Sequence, residues 1–538
     1  MSEAASHRNI GPPWSGVPLT TVVEIARRAC ERDPTRPVMI FEDGLTLTRG
    51  EFLERAERFA AYLQDRLAPG DRVTIMLSNR AEFMIAWMAV VANRATLVSM
   101  NTAAREYDAG HILRDSAAVM VIVGEEGHGL VKQLQTECPA LREIVYVGEK
   151  EPGGLDAYVG KTERLPFSGL QLNRQDITNV YYTSGTTGPP KGCMLDHEYW
   201  ARFVDLFLRL YGMGPEDRLL CCLRFFYGDP PWQLLAALHS GGSLVVMRHF
   251  SVSRFWDVVR QNDVSILFGI ASIPSLLIKA EPSSHDRDNR VRFALQIGVP
   301  AHLHRDLVDR WGFPWVEGYG LTETGLVVSM PLEYADEMAG SGSIGLPCPE
   351  VEVRVVDDQN QDVPVGHPGE LLIKAPGLMR GYLNRPEATV ETLQDNWLRT
   401  GDLGCADVRG FLYFIGRKKD IIRRSGENIA AAEVEQVLRS HPKVLEVAVL
   451  PVPDELRGEE VKVYVLPVAD ESRETFPPEE VIAYCAEKLA AYKVPRYIEY
   501  MTQDFPRTPS MRVAKDKLRK EREDLITGSW DRERELGR

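Results

Sequence analysis

The chain is poor in cysteine: eight occur in 538 residues, and no two stand in a Cys-x-x-Cys spacing. That scarcity excludes a disulfide framework and a ribbon-type zinc site, and it leaves the cysteines as small buried apolar residues. Basic residues are in deficit as well, since 63 Lys and Arg stand against 77 Asp and Glu and give a net charge of −14. A general nucleic-acid binder needs a basic face and adhesion to anionic lipid needs a basic patch, so neither partner is expected. Long apolar runs are missing too. The most apolar stretch, Ile266 to Ile278, is broken by Gly269 and Pro274 and is too short to span a bilayer. The first residues, Met-Ser-Glu-Ala-Ala-Ser-His-Arg-Asn, lack the apolar core of a signal peptide. What remains is the profile of a cytoplasmic enzyme with more than one domain, because a single core does not extend over so long a chain.

Apolar periodicity supplies the architecture. Thr48 and Glu51 have capping-box spacing, and Phe52, Ala56, Phe59, Ala60 and Leu63 then share one helical face. Short apolar runs at 72–77, 96–100, 117–123 and 144–147 read as buried strands, with a helix over 81–91 between the first two. A second alternating series has strands expected at 178–182, 243–247 and 264–268. Strands separated by helices predict α/β layers with parallel sheets. From about 350 the period becomes two, in Val351-Glu-Val-Arg-Val-Val and Glu370-Leu-Leu-Ile-Lys, which predicts a small antiparallel β subdomain. An α+β tail follows Asp420, with a helix over 433–438, strands at 445–449 and 461–466, and a helix from Glu479. The charge-dense end, 515–538, reads as a solvated helix or frayed tail.

The strongest chemical signal is Thr183-Ser184-Gly185-Thr186-Thr187-Gly188-Pro-Pro-Lys191 after the strand that ends at Tyr182. The two glycines permit backbone N–H groups to point into one concavity, and the hydroxyls add donors for phosphate oxygens. Lys191 brings a positive charge for the β- and γ-phosphates. No Gly-Lys-Ser/Thr ending is present, so this is not a Walker loop. A lone Gly-rich hexamer is more often a polar turn. Here the run continues to a lysine.

This segment resembles the signature of the adenylate-forming superfamily, which comprises acyl-CoA synthetases, peptide-synthetase adenylation domains and firefly-type luciferases. The resemblance extends from about residue 20 to about residue 520. It implies a large N-terminal domain, 1–418, of two α/β subdomains plus a small β subdomain. A small α+β domain, 419–538, then follows on a hinge at Lys419. Further motifs stand in the family's order. Glu317-Gly318-Tyr319-Gly320-Leu-Thr322-Glu323 resembles the segment in which the tyrosine ring stacks on adenine. The same resemblance has the threonine bond the α-phosphate and the glutamate hold Mg2+, for which Thr183 is a second candidate ligand. Thr400-Gly-Asp402 resembles the ribose-binding motif, and Arg417 in Gly-Arg-Lys-Lys-Asp reaches ribose or phosphate. Arg424-Ser-Gly426-Glu-Asn-Ile is similar to the segment that admits the pantetheine arm, with wording closer to acyl-CoA synthetases than to peptide-synthetase domains.

Three departures locate what is particular to this chain. The family's Pro-Thr-Gly-Lys motif is here Thr508-Pro-Ser-Met511-Arg512, with arginine in the lysine's place and methionine in the glycine's. Either Arg512 takes over the charge, or Lys515 or Lys517 substitutes after a register shift, or the adenylation step is altered; arginine is planar and longer than lysine. Around Asp229, Phe225, Phe226, Tyr227 and Trp232 gather aromatic rings where relatives carry an aromatic or histidine gate, and Arg224 takes a proline's place. Such a pocket suits an aromatic or cationic acid. Gln296-Ile-Gly298-Val299-Pro300 replaces a Gly-Gly-Ala-Pro type of strand end, where Gly298 and Gly320 border both acid and adenine. In its general features the chain is similar to the crotonobetaine/carnitine–CoA ligase-like branch.

The implied chemistry is an ATP- and magnesium-dependent attack of a small carboxylate on the α-phosphate, followed by transfer to a thiol of CoA or of a carrier protein. Two alternatives stay open: a diazotase that adenylates nitrite and passes it to an arylamine acid, and a non-catalytic nucleotide-binding homologue. The sequence leaves the oligomeric state open.

Overall fold

The computed structural model describes residues 20–148, 154–159, 164–183, 190–270, 273–425, 427–469, 471–507, 513–520 and 524–536. The chain divides into two compact units, one of Met1–Glu352 with Ile373–Leu398, the other of Val353–Leu372 with Arg399–Arg538. Among the described residues no helix is long and apolar enough to cross a membrane.

The first unit carries two sheets flanked by helices. One has the strand order Glu143–Tyr146, Met120–Val123, Arg72–Met76, Thr96–Ser99, Ile177–Thr183, Lys191–Asp196. Its first five strands run parallel, and the last returns antiparallel, with Thr183 opposite Lys191. The other sheet includes Arg218–Cys221, Ile266–Ile270, Phe293–Ile297 and Trp315–Leu321 as parallel neighbours, after which Gly325–Ser329 turns back antiparallel. The α/β architecture follows the expected alternation, and each expected strand lies within a few residues of an observed one.

Local sequence explains these elements. The helix Arg49–Gln64 starts at the expected capping box: the Thr48 hydroxyl accepts from the Glu51 N–H at 3.2 Å, and the Glu51 carboxylate accepts from the Thr48 N–H at 2.8 Å. Phe52, Ala56, Phe59, Ala60 and Leu63 are all buried. The helix Ala81–Ala92 is apolar on every side and buried along almost its whole length, as a helix enclosed between layers must be. The helix Asp229–Ser240 opens on Pro230 and Pro231, which have no N–H to lose in a first turn.

The two sheets of this unit are tied by buried polar side chains. Asn79, fully buried, donates from Nδ2 to the carbonyls of Leu223 and Met247, both at 2.8 Å, and accepts at Oδ1 from the Phe225 N–H at 2.7 Å. Ser99 donates to the Phe226 carbonyl at 2.7 Å. These bonds fix the irregular segment 222–228, whose backbone groups have no sheet partner, directly before Tyr227 and Asp229.

In the second unit, Trp397–Ala406 pairs antiparallel with Leu412–Arg417. The C-terminal part is a sheet of Glu427–Ala430, Ile421–Arg424, Gly458–Pro467, Tyr497–Tyr500 and Trp530–Asp531, with Val444–Asp454 beside Gly458–Pro467. Its core joins Ile422, Val434, Leu438, Val449, Val463 and Phe476. The expectation of a solvated helix or frayed tail is corrected in part: Lys515–Lys520 is helical, but Leu518 in it is buried. Trp530 is buried and Trp530–Asp531 pairs with Tyr497–Tyr500, while Arg496 holds the Asp531 carboxylate at 3.1 Å. Buried Leu518 and ion pairs such as Lys515–Glu435 and Arg457–Glu533 add to the anchoring of this charged segment.

Replacing Asn79 by leucine leaves two carbonyls and one N–H buried without partners. We expect a loss of about 3–5 kcal/mol in unfolding free energy, measured by denaturant titration; a loss below about 1 kcal/mol would show that water replaces the side chain.

Candidate adenylate-forming site

The strand pair Ile177–Thr183 and Lys191–Asp196 brings Thr183 and Lys191 to the two ends of the Gly/Ser/Thr connection. Ser184, Gly185, Thr186, Thr187 and Gly188 lie outside the described residues. The Thr183 hydroxyl donates to the Lys191 carbonyl at 3.4 Å. On the far side of Lys191–Asp196 the segment 379–383 is stitched on by backbone bonds: Arg380 N–H to Met194 O at 2.8 Å, Met194 N–H to Gly381 O at 2.9 Å, and Leu383 N–H to Gly192 O at 2.7 Å.

That stitching places Tyr382, a residue the sequence reading did not single out, between two that it did. The Lys191 ammonium lies 5.2 Å from the centre of the Tyr382 ring, and the Tyr382 hydroxyl donates to Glu323 Oε1 at 2.8 Å. The Glu323 carbonyl in turn accepts from the Met379 N–H at 2.9 Å. Burial and the Glu323 charge push the Tyr382 hydroxyl well above the usual tyrosine range, so it stays a proton donor to that carboxylate. Lys191, Tyr382 and Glu323 therefore form one triangle. The other Glu323 oxygen has no hydrogen-bond partner among the described residues, which suits a carboxylate that offers one oxygen to a phosphate-bound Mg2+. No cluster of three His, Cys, Asp or Glu exists among the described residues.

Glu323 and Thr322 sit in the turn between Trp315–Leu321 and Gly325–Ser329. The Thr324 hydroxyl accepts from the Leu321 N–H at 2.9 Å and closes that turn. Gly320 is required by packing, since a Cβ there would lie 2.0 Å from the Gly325 carbonyl oxygen. Tyr319 is largely buried in the same strand, next to Gly318. The buried Glu317 carboxylate accepts from the N–H groups of Gly298, at 2.7 Å, and Val299, at 2.5 Å. It thereby holds the bend that ends the strand Phe293–Ile297, where Gly298 has φ +96° and Pro300 caps the helix Ala301–Trp311.

The aromatic segment divides. Trp232 is fully buried, its ring stacked on Phe203 at 4.9 Å and set edge-on to Phe268 at 5.1 Å. It acts on a pocket only through neighbours, by donating to Asp229 Oδ1 at 3.3 Å. Tyr227 and Asp229 keep partly open surfaces. The enclosure of the Asp229 carboxyl pushes its pKa up to about 6.

In the second unit, Asp402 and Arg417 face each other across a strand pair, Arg417 Nε lying 2.9 Å from Asp402 Oδ1. Asp402 is nearly fully buried, and its N–H donates to the Thr400 hydroxyl at 3.0 Å. Lys419 is partly buried and approaches Asp516 at 3.9 Å. Lys515 pairs with Glu435 at 2.7 Å. Gly426 and Arg512 lie outside the described residues.

Comparison with known proteins gives the family. Residues 26–383 match the AMP-binding enzyme family, and residues 433–512 match the AMP-binding enzyme C-terminal domain. The chain belongs to the AMP-binding enzyme family, a family of adenylate-forming, AMP-forming ligases. It is 31% identical to a long-chain-fatty-acid–CoA ligase of Yersinia pestis, over 95% of this chain and 96% of that one. It is 30% identical to a crotonobetaine/carnitine–CoA ligase of Escherichia coli O45:K1, over 84% and 88% respectively. Its structure is similar to that of the o-succinylbenzoate CoA synthetase of Bacillus subtilis in complex with an acyl-adenylate intermediate. That likeness has a TM-score of 0.79 at 27% identity and covers 92% of this chain and 97% of that one.

Two outcomes test the site. Tyr382→Phe keeps the ring beside Lys191 but removes the bond to Glu323, and kcat/KM for ATP should fall on the order of tenfold, with a stronger dependence on magnesium concentration; an unchanged magnesium profile counts against the triangle. Burial raises the Glu317 carboxyl from near 4.5 to about 8, against the pull of its two N–H donors. The folded protein then keeps a proton that the unfolded chain has released, so this contribution to stability declines as pH rises from about 4.5 towards 8. The unfolding free-energy difference between wild type and Glu317→Ala should shrink by on the order of a few kcal/mol from pH 5 to pH 8; a pH-independent difference refutes this.

Proposed function

We propose that this enzyme joins a small carboxylic acid to CoA in two half-reactions at the expense of ATP. The observation that carries the reading is the Lys191–Tyr382–Glu323 triangle at the mouth of the Gly/Ser/Thr connection. The names of the relatives support CoA as acceptor. In the first half-reaction a carboxylate oxygen bonds to the α-phosphorus of ATP, the bond to the β-phosphate oxygen breaks, and pyrophosphate leaves. Lys191 takes up charge on the β- and γ-phosphates, with Ser184 to Gly188 supplying N–H and hydroxyl donors. Thr322 bonds the α-phosphate, and Tyr319 with Gly298 to Pro300 borders the adenine. Asp402 and Arg417 bind the ribose. Glu323, with Thr183, would hold Mg2+, whose chemistry is to neutralise phosphate charge as pyrophosphate leaves. Arg512 supplies the cation between carboxylate and α-phosphate.

In the second half-reaction the thiolate of CoA attacks the acyl carbon and AMP departs. Residues 419–538 act as the mobile part, Lys419 is the pivot, and Gly426 gives the pantetheine arm its entry. Positioning and preorganised charge are the whole of the catalytic work asked of the protein.

Pyrophosphate release with a panel of carboxylic acids and CoA tests the reading. Lys191→Ala and Glu323→Gln should each slow it by roughly 100-fold or more. Arg512→Ala should lose acid activation while still transferring the acyl group of a supplied acyl-adenylate to CoA. Turnover only with nitrite and an arylamine would overturn the ligase reading in favour of a diazotase. An Arg512→Ala enzyme with full pyrophosphate release would remove that residue from the first step.

A further inference from the structure

The end of the chain is tied to the turn that leads into Gly426. Ile421–Arg424 and Glu427–Ala430 pair antiparallel with Arg424 opposite Glu427, so Ser425-Gly426 is their two-residue link. Ser425 has φ +52°, in the left-handed region that residues other than glycine seldom occupy, and its surroundings must hold it there. Two contacts do so. The Ser425 N–H donates to the Arg457 carbonyl at 2.8 Å, and the neighbouring Arg424 Nε donates to Glu460 Oε2 at 2.7 Å. Glu460 is fully buried, and its other oxygen accepts from Arg457 Nη1. Arg457 therefore serves the turn twice, through its own carbonyl and through the carboxylate that it shares with Arg424.

The position of Arg457 is set in turn by the last segment of the chain. Its Nη1 also bonds Glu533, in Arg532–Leu536. The second Glu533 oxygen lies 3.3 Å from Arg496 Nη1, which bonds Asp454 Oδ2 at 2.8 Å, and Asp454 Oδ1 accepts from the Arg457 N–H at 2.8 Å. Backbone and side chain of Arg457 are thus both gripped by groups that converge on it. A buried carboxylate shared by two guanidinium groups leaves each little freedom, because withdrawal of either strands charge away from water. A shift at Glu533 passes to Arg457, and from there to Arg424 and Ser425. We infer that Glu533, acting through Arg457 and Glu460, is a positioning residue for the acyl-transfer half-reaction. The inference rests on the reading of the turn at Gly426 as the entry of the pantetheine arm, and it adds the support on which that entry depends. Glu533 acts on the turn and needs no contact with CoA.

The test uses the full-length enzyme, with butyrate and benzoate as acids for the first step and butyryl- and benzoyl-adenylate supplied for the second. Glu533→Ala should lower kcat/KM for CoA in acyl transfer by about tenfold, while pyrophosphate release from ATP and acid changes by less than about twofold. Glu533→Asp should restore part of the loss. Arg457→Met should lower acyl transfer at least as much, and adding Glu533→Ala to it should lower it no further, since the two residues act in series. Lys443→Met, which breaks an ion pair with Glu480 elsewhere in the same unit, should alter neither step. Unaltered acyl transfer in Glu533→Ala, equal slowing of both half-reactions, or additive losses in the double variant overturn the inference. If the wild type turns over neither acid and neither adenylate, the reading of the reaction fails for these acids, and calorimetric titration with CoA then decides the inference. Weaker CoA binding by Glu533→Ala than by wild type upholds it. Equal binding, or none, overturns it.

Discussion

The bond from Tyr382 to Glu323 is the joint on which the site depends. Glu323 lies in a four-residue turn at the end of one sheet, and Lys191 begins the last strand of another. Nothing in the local geometry of either fixes their separation. Segment 379–383 does so, because it adds its backbone to the strand Lys191–Asp196 while Tyr382 and Met379 grip the turn through a hydroxyl and an N–H. A phenol buried beside a carboxylate has its pKa raised, so Tyr382 remains the donor of this bond.

The same economy recurs wherever irregular backbone approaches the site. Asn79 satisfies three backbone groups of the 222–247 region at once. Glu317 satisfies two N–H groups at the Gly298 bend, and the Thr324 hydroxyl closes the turn beside Glu323. Loops that leave a sheet lose their ladder partners, and buried side chains supply replacements. They determine where Tyr227, Asp229, Gly298 and Glu323 are found.

Much of this was legible in the sequence. Apolar runs located the strands because parallel strands are buried on both faces, and Thr48 with Glu51 located a helix start because a capping box is a local device. The aromatic cluster was less legible. Trp232 and Tyr227 are alike in a sequence, five residues apart, but one is enclosed by Phe203, Phe207 and Phe268 and the other is only partly buried, against Phe226. The tail was misread in part for a related reason: its composition is charged, and Trp530, one of the residues that anchor it, has its strand partners some thirty residues earlier in Tyr497–Tyr500.

The sequence alone determined that the chain activates its substrate with ATP, since the Thr183–Lys191 run and the segments around Glu323 and Asp402 are contiguous and carry their chemistry in residue types. The tertiary structure decided which side chains cooperate. Tyr382 joins Lys191 to Glu323 across almost two hundred residues, and Lys515 pairs with Glu435. Pairing over such distances is set by the register of strands and the packing of helices, and no local pattern records it.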